Sequence, residues 1–182
     1  MPGGQAGCPD AHLAERPVES ARTTRRREEP VNQPQNDALL ILRRRDTVLL
    51  ARRHRTGYAD GLLNLPSGKV EPGEDPREAI VREAREEIGV RLDHGAVRLA
   101  HVMYFRSPER SDRVGWFFTL DHDFTGTPVN AEPHKCSEIL WAPVDPLPAD
   151  TVRYNALAIQ HHLKGEPHSI HTDDWRETFP LA

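Results

Sequence analysis

The sequence predicts an α/β domain, and three observations predict it. Apolar runs of strand length recur along the chain, the stretch 75–90 carries start and stop signals of one helix, and a second helical period follows at 150–163. Residues 1–36 are polar, proline-bearing and aperiodic. Such a segment buries too little apolar surface to offset its ordering entropy and reads as a disordered N-terminal tail. The folded domain is expected over 37–166, with a C-terminal tail over 167–182.

Each element has its own signal. "ALLILRR" (38–44) and "TVLLARR" (47–53) have strand length, and a turn at Arg45–Asp46 would join them as a hairpin. "HRTGYADG" (54–61) is a loop by its glycines and aspartate, and "LLNLPSGKVEPGED" (62–75) a short strand entering an ordered loop. Asp75 suits a helix N-cap, Pro76 the first helical position, and Glu78 closes a capping box with Asp75. Ile80, Ala84 and Ile88 form an apolar stripe with Val81 beside it, and Gly89 stops the helix. "VRLAHVMYFR" (97–106) and "VGWFFTLDHD" (114–123) read as a strand pair joined by "SPERSD". Alternation sends Trp116 and Phe118 to one face and Phe117 to the other. "SEILWAPVD" (137–145) is a further strand, and "DTVRYNALAIQHHL" (150–163) an amphipathic helix.

Composition excludes several classes. The 182 residues carry a formal net charge of −4, which argues against a general binder of nucleic acid or membrane surfaces. Neither an apolar run of membrane-spanning length nor a signal-peptide core is evident. Cys8 and Cys136 match no metal spacing and fit a reduced, cytoplasmic compartment. The four histidines of "HHLKGEPHSIH" straddle a helix end and a Gly-Pro-containing tail, and read as surface rather than as a metal site.

Within "REAREE" (82–87), Glu83, Glu86 and Glu87 share an arc of roughly 100° on the helix, beside the apolar stripe. Like charges at this spacing repel by a few tenths of a kcal/mol per pair. Glu–Arg pairing on a solvated face could absorb the repulsion. A hard divalent cation that bridges carboxylates to phosphates could do the same.

The loop ahead of the helix decides between these. "GKVEPGEDPREAIVREAREEIGV" (68–90) resembles the Nudix box: Gly68, Glu74, Arg82, Glu83, Glu86, Glu87 and Gly89 match its fixed positions and Val90 its final aliphatic. Ala84 is smaller than the usual residue there. The resemblance implies a Nudix fold, an α/β/α sandwich with a mixed curved sheet between helices. It also implies hydrolysis of a nucleoside diphosphate linked to a further group, with Mg²⁺, or Mn²⁺ in its place, as cofactor. Glu83, Glu86 and Glu87 are then the expected metal ligands, joined by the Ser67 carbonyl and by Glu132 from "AEPHKCSEILW". Glu83 and Glu86 are also expected to be catalytic, the base being one of Glu83, Glu86 and Glu87 or a carboxylate from a later loop, and Arg82 with Glu74 would brace the loop against the helix. Arg53 is expected to meet substrate phosphate, and Lys69 to bind substrate. Asn155 aligns with an asparagine that reads a purine edge in MutT-like members.

Outside the box, "NLPSGKVEPGE" is similar to the strand-loop of MutT-like enzymes, which release pyrophosphate from a (deoxy)nucleoside triphosphate, with Ser67 where that group commonly has glycine. Neither Pro108 nor Tyr104 stands where ADP-ribose or dinucleoside polyphosphate enzymes carry their marker residues. An ADP-ribose or nucleotide-sugar pyrophosphatase is the alternative enzyme, and a non-catalytic nucleotide sensor the alternative of another class. The expected partner is a small nucleotide, with no membrane and no nucleic acid; self-association is left open.

Overall fold

A computed structural model of the chain describes Gly3 and residues 33–106 and 112–172. The tail over 1–36 therefore lies outside the described residues except at Gly3 and 33–36, as do most of "SPERSD" and positions 173–182. The strands are β1 (Gln35–Leu40), β2 (Arg43–Arg44), β3 (Thr47–Arg53), β4 (Leu63–Asn64), β5 (Ser67–Lys69), β6 (Val97–Phe105), β7 (Arg113–Leu120), β8 (Cys136–Pro143) and β9 (His168–His171). The helices are α1 (Pro76–Ile88) and α2 (Arg153–Leu163).

One sheet is mixed and runs β5-β1-β7-β6-β9. β1 pairs with β5 antiparallel and β7 parallel, and β6 pairs with β7 antiparallel and β9 parallel. In the second sheet β3 takes β2 and β4 end to end along one edge and β8 along the other. Alternation divides the strands' apolar side chains between two cores. Leu39, Ile41, Val48 and Leu50 pack with Phe117 and the inner face of α2, while Ala38, Leu40, Leu42 and Leu49 pack with Phe118 and the α1 stripe. The architecture is thus α/β, with helices over both faces of the strands. Phe117 and Phe118 lie in different cores, as alternation requires.

Three expectations change. The hairpin from 38–53 is only its short tip, Arg43–Arg44 against Thr47–Val48. The run 38–42 is buried at every position and needs neighbours on both edges, so β1 joins the other sheet between β5 and β7. α2 is less amphipathic than its sequence suggests, because Tyr154 through Ile159 are all buried. Part of the expected C-terminal tail, His168–His171, is strand β9 on the edge of β6. Its Ile170 is 73% exposed, so no burial period marked it.

Candidate active site

The acidic wall of the site starts from the α1 cap. The Asp75 carboxylate accepts from the Arg77 and Glu78 amides at 2.7 and 2.9 Å, and Glu78 accepts from the Asp75 amide at 2.8 Å. Gly89 ends the helix at φ 66°, the left-handed region that glycine enters without strain. With the start, stop and buried stripe (Ile80, Ala84, Ile88) fixed, the helix turns Glu83 and Glu87 toward the loop that precedes it.

Arg82 organises that junction. Its guanidinium binds both Glu74 oxygens (2.7 and 3.2 Å), Glu83 Oε1 (2.6 Å) and the Lys69 carbonyl (3.1 Å), and reaches Glu86 Oε2 at 3.4 Å. The Glu74 hydrogen bond raises the Arg82 pKa, and in return holds Glu74 below the usual carboxylate range. Glu83 packs on Gly68 so closely that a Cβ there would lie 1.8 Å from its Oε1. Burial lifts the Glu83 carboxyl above its ordinary value despite Arg82. Glu87 Oε2 accepts the Ser67 amide at 2.8 Å, and burial, with Glu83 and Glu132 nearby, pushes the Glu87 carboxyl up to about 8. The loop bearing Glu132 is tied to the end of α1 through Val129 N–Ile88 O and Ala131 N–Glu87 O, both 3.0 Å. Glu132 itself pairs with Lys135 at 2.8 Å.

Two adjoining cavities of about 230 and 330 Å³ open beside this wall and share Arg53, Thr56, Asn64 and Ser67. Glu87, Glu132 and Lys135 line the first. Arg53 stands between the two, with Nε on the Tyr58 carbonyl (2.8 Å) and Nη2 on Thr56 Oγ1 (3.0 Å), and burial lowers its pKa. Lys69 lines the second cavity.

Of the residues predicted from sequence, the structure brings Ser67, Glu87, Glu132, Arg53 and Lys69 to the cavity walls. Glu83 and Glu86 line neither cavity and hydrogen-bond Arg82, Glu86 from the rim with 44% of its side chain exposed. Asn155 stands behind the wall rather than in it. It is wholly buried, and its Nδ2 donates to Asn64 Oδ1, so the amide that lines both cavities is Asn64. Asn64, Lys135, Tyr58, Asp37 and Arg113 were not singled out by sequence. Only Asp37, an acid opening an apolar run, carried any local signal.

The donor set fits a hard cation in its chemistry: partly buried carboxylates gathered at a cleft, with burial holding Glu87 above its ordinary pKa. Among the described residues no three His, Cys, Asp or Glu side chains enclose an ion as they stand. Mg²⁺ asks for less, because it keeps several waters and is commonly held by one or two carboxylates together with substrate phosphates. The histidines of the 161–171 stretch do converge, His161 and His171 nitrogens lying 3.0 Å apart beside His101, but they link α2, β6 and β9 through Glu166 and Ser169.

The NUDIX domain model matches residues 33–161. The chain belongs to the Nudix family. It is 28% identical over 117 residues to an NAD-capped RNA hydrolase of Stutzerimonas stutzeri, covering 61% of this chain but only 37% of that protein. It is 33% identical over 105 residues to a CTP pyrophosphohydrolase of Escherichia coli, covering 56% of this chain and 70% of that one. In three dimensions it is similar to the MutT NUDIX hydrolase of Burkholderia pseudomallei, with a TM-score of 0.63 at 27% identity over 70% of this chain and 97% of the other. Among the described residues no helix is long and apolar enough to cross a membrane.

Proposed function

We propose that this chain is a Mg²⁺-dependent pyrophosphohydrolase that cleaves a nucleoside triphosphate to the monophosphate and pyrophosphate. The observation that carries the reading is the joint placement of Glu87 and Glu132 with Arg53 and Lys135 on one cavity, next to an intact Nudix box. Acids alone would suit a cation and bases alone an anion; both on one wall suit a metal–polyphosphate pair. Glu83, Glu86, Glu87, Glu132 and the Ser67 carbonyl would hold the Mg²⁺, or Mn²⁺. When bound, the ion neutralises phosphate charge and makes a water acidic enough to attack phosphorus.

The chain's own residues supply the rest. Arg53, Lys69 and Lys135 balance phosphate charge, and Arg82, braced by Glu74, keeps Glu83 in place. A carboxylate of the cluster accepts the water's proton. The new P–O bond forms as the α–β bridging P–O bond breaks, and pyrophosphate leaves with the electron pair. The likeness to an NAD-capped RNA hydrolase favours a second reading, in which the bond cut is a diphosphate linking a nucleoside to another group, as in ADP-ribose or a nucleotide sugar. Incubating the full chain and Mg²⁺ with both substrate types separates them. Pyrophosphate release is expected; two monophosphate products would favour the second reading, and no turnover of either would overturn both.

A further inference from the structure

Strand β9 has little apolar hold on the fold. Ile170 and His168 are exposed, and the half-buried side chains that it turns inward, Ser169 and His171, are polar. Its pairing with β6 is parallel, from Val102 opposite His168 to Phe105 opposite His171. Main-chain bonds from Val102 N to the Pro167 carbonyl (3.0 Å) and from Arg106 N to the His171 carbonyl (2.8 Å) close the two ends. Its other attachment is a ring of hydrogen bonds that begins and ends on Glu166.

One carbonyl sets every proton in that ring. The Glu166 carbonyl only accepts, so His101 Nδ1, 2.8 Å away, carries a hydrogen. In the neutral imidazole His101 Nε2 is then an acceptor, and the Ser169 hydroxyl donates to it at 2.8 Å. With its hydrogen committed there, Ser169 Oγ accepts from His171 Nε2 at 3.1 Å. The same N–H faces His161 Nε2 at 3.0 Å, which is left as an acceptor. His161 therefore carries its hydrogen on Nδ1 and donates it to the Glu166 carboxylate. His101 is wholly buried and stacks on His161, with ring planes 2° apart and centres 5.0 Å apart. Neutral imidazoles satisfy every one of these contacts.

An added proton costs the ring at least one bond. On His161 Nε2 it meets the His171 N–H, and turning His171 to its other tautomer forfeits the bond to Ser169. On His101 Nε2 it meets the Ser169 hydroxyl and puts a charge where water does not reach. The other charged and titratable groups nearby are Lys164 beside Glu166, and His162 with Arg43 near it. His168, Tyr104 and Arg106 belong to the outer face of the β6–β9 pair. Burial holds His101 and His162 below the usual histidine range. We infer that Glu166, His101, His161, Ser169 and His171 form a proton-sensitive clasp that fastens β9 to β6 and α2 near neutral pH and releases it in acid. Released imidazoles take up protons from about pH 6.5 downward and fastened ones resist, so the hold is full above that value and weakens below it.

Long-range proton–nitrogen NMR of the full chain reads the ring tautomers directly. At about pH 7.5, His101 and His161 are expected as the Nδ1–H form and His171 as the Nε2–H form. Amide hydrogen exchange, corrected for its intrinsic pH dependence, reads the strand. Between about pH 7.5 and about pH 5.5 the Val102 and Arg106 amides should lose about tenfold or more of their protection, while the β1–β7 amides keep theirs. Ser169→Ala removes the centre of the ring, so at the higher pH its Val102 and Arg106 amides should exchange as the parent's do in acid. The parent's own comparison of the two pH values stands whether or not that variant folds. Equal protection at both pH values, a loss shared by β1–β7, His101 with its hydrogen on Nε2, or a folded Ser169→Ala chain as protected as the parent would overturn the clasp.

Discussion

The two walls of the cleft are built in opposite ways. The acidic wall comes almost entirely from one stretch, Ser67 through Glu87, in which a loop and the helix that follows it fold back on each other around Arg82. The donor-rich wall draws Asp37 from β1, Tyr58 from the 54–62 loop, Arg113 from β7 and Tyr154 from α2. The first is a local device that any fold able to seat one amphipathic helix could carry. The second exists only where four distant segments meet.

This contrast can be broken by experiment, the largest effect first. Glu83→Gln and Glu87→Gln should each keep the fold and cut turnover by about two or more orders of magnitude at saturating Mg²⁺. Near-normal rates in both, with unchanged circular dichroism, would remove the acidic wall from the chemistry. Gly68→Ala comes next. Its methyl must displace the Glu83 carboxylate, which can swing aside, so turnover should fall about tenfold or more while stability changes by about 1 kcal/mol or less. A variant as active as the parent would show that the Glu83 position is not critical.

The third effect is on stability. The folded pKa of Glu87, about 8, lies above the ordinary glutamate value near 4.3. The folded state therefore holds a proton that the unfolded chain releases over this window. The contribution is fully present below the ordinary value and is lost as pH rises through about 8. In the metal-free chain the thermal midpoint should fall over that range relative to Glu87→Gln, and Mg²⁺ should flatten the difference. A midpoint difference independent of pH would mean the carboxylate is not enclosed. Smallest for the site, Asp75→Ala should cost about 1 kcal/mol of stability through the lost cap and leave kcat within about twofold below the unfolding range. A large loss of kcat at unchanged stability would mean the cap also positions the glutamates.

Local rules made α1 readable residue by residue: Asp75, Pro76, Glu78 and Gly89 each stand where the sequence puts them, and Ile80, Ala84 and Ile88 are all buried. α2 had no such markers. Its N-cap is Val152 without a side-chain hydrogen bond, and it is held by burial from Tyr154 to Ile159 rather than by its own ends. The same difference explains Asn155. Its alignment placed it at the substrate, but burial of that helix face sets it one layer back, where it holds Asn64.

By itself the sequence determined the loop and helix of the Nudix box, the glutamates that face that loop and the brace from Arg82 to Glu74, because capping, helical period and short-range charge pairing act within a few turns of chain. Tertiary structure alone decided that β1 would leave its hairpin partner for β5 and β7, that a polar segment at 168–171 would complete a sheet edge, and that Asp37, Tyr58, Arg113 and Tyr154 would share one cavity. Those outcomes follow from which distant strand edges and apolar faces can be satisfied together, and no local stretch of residues carries that information.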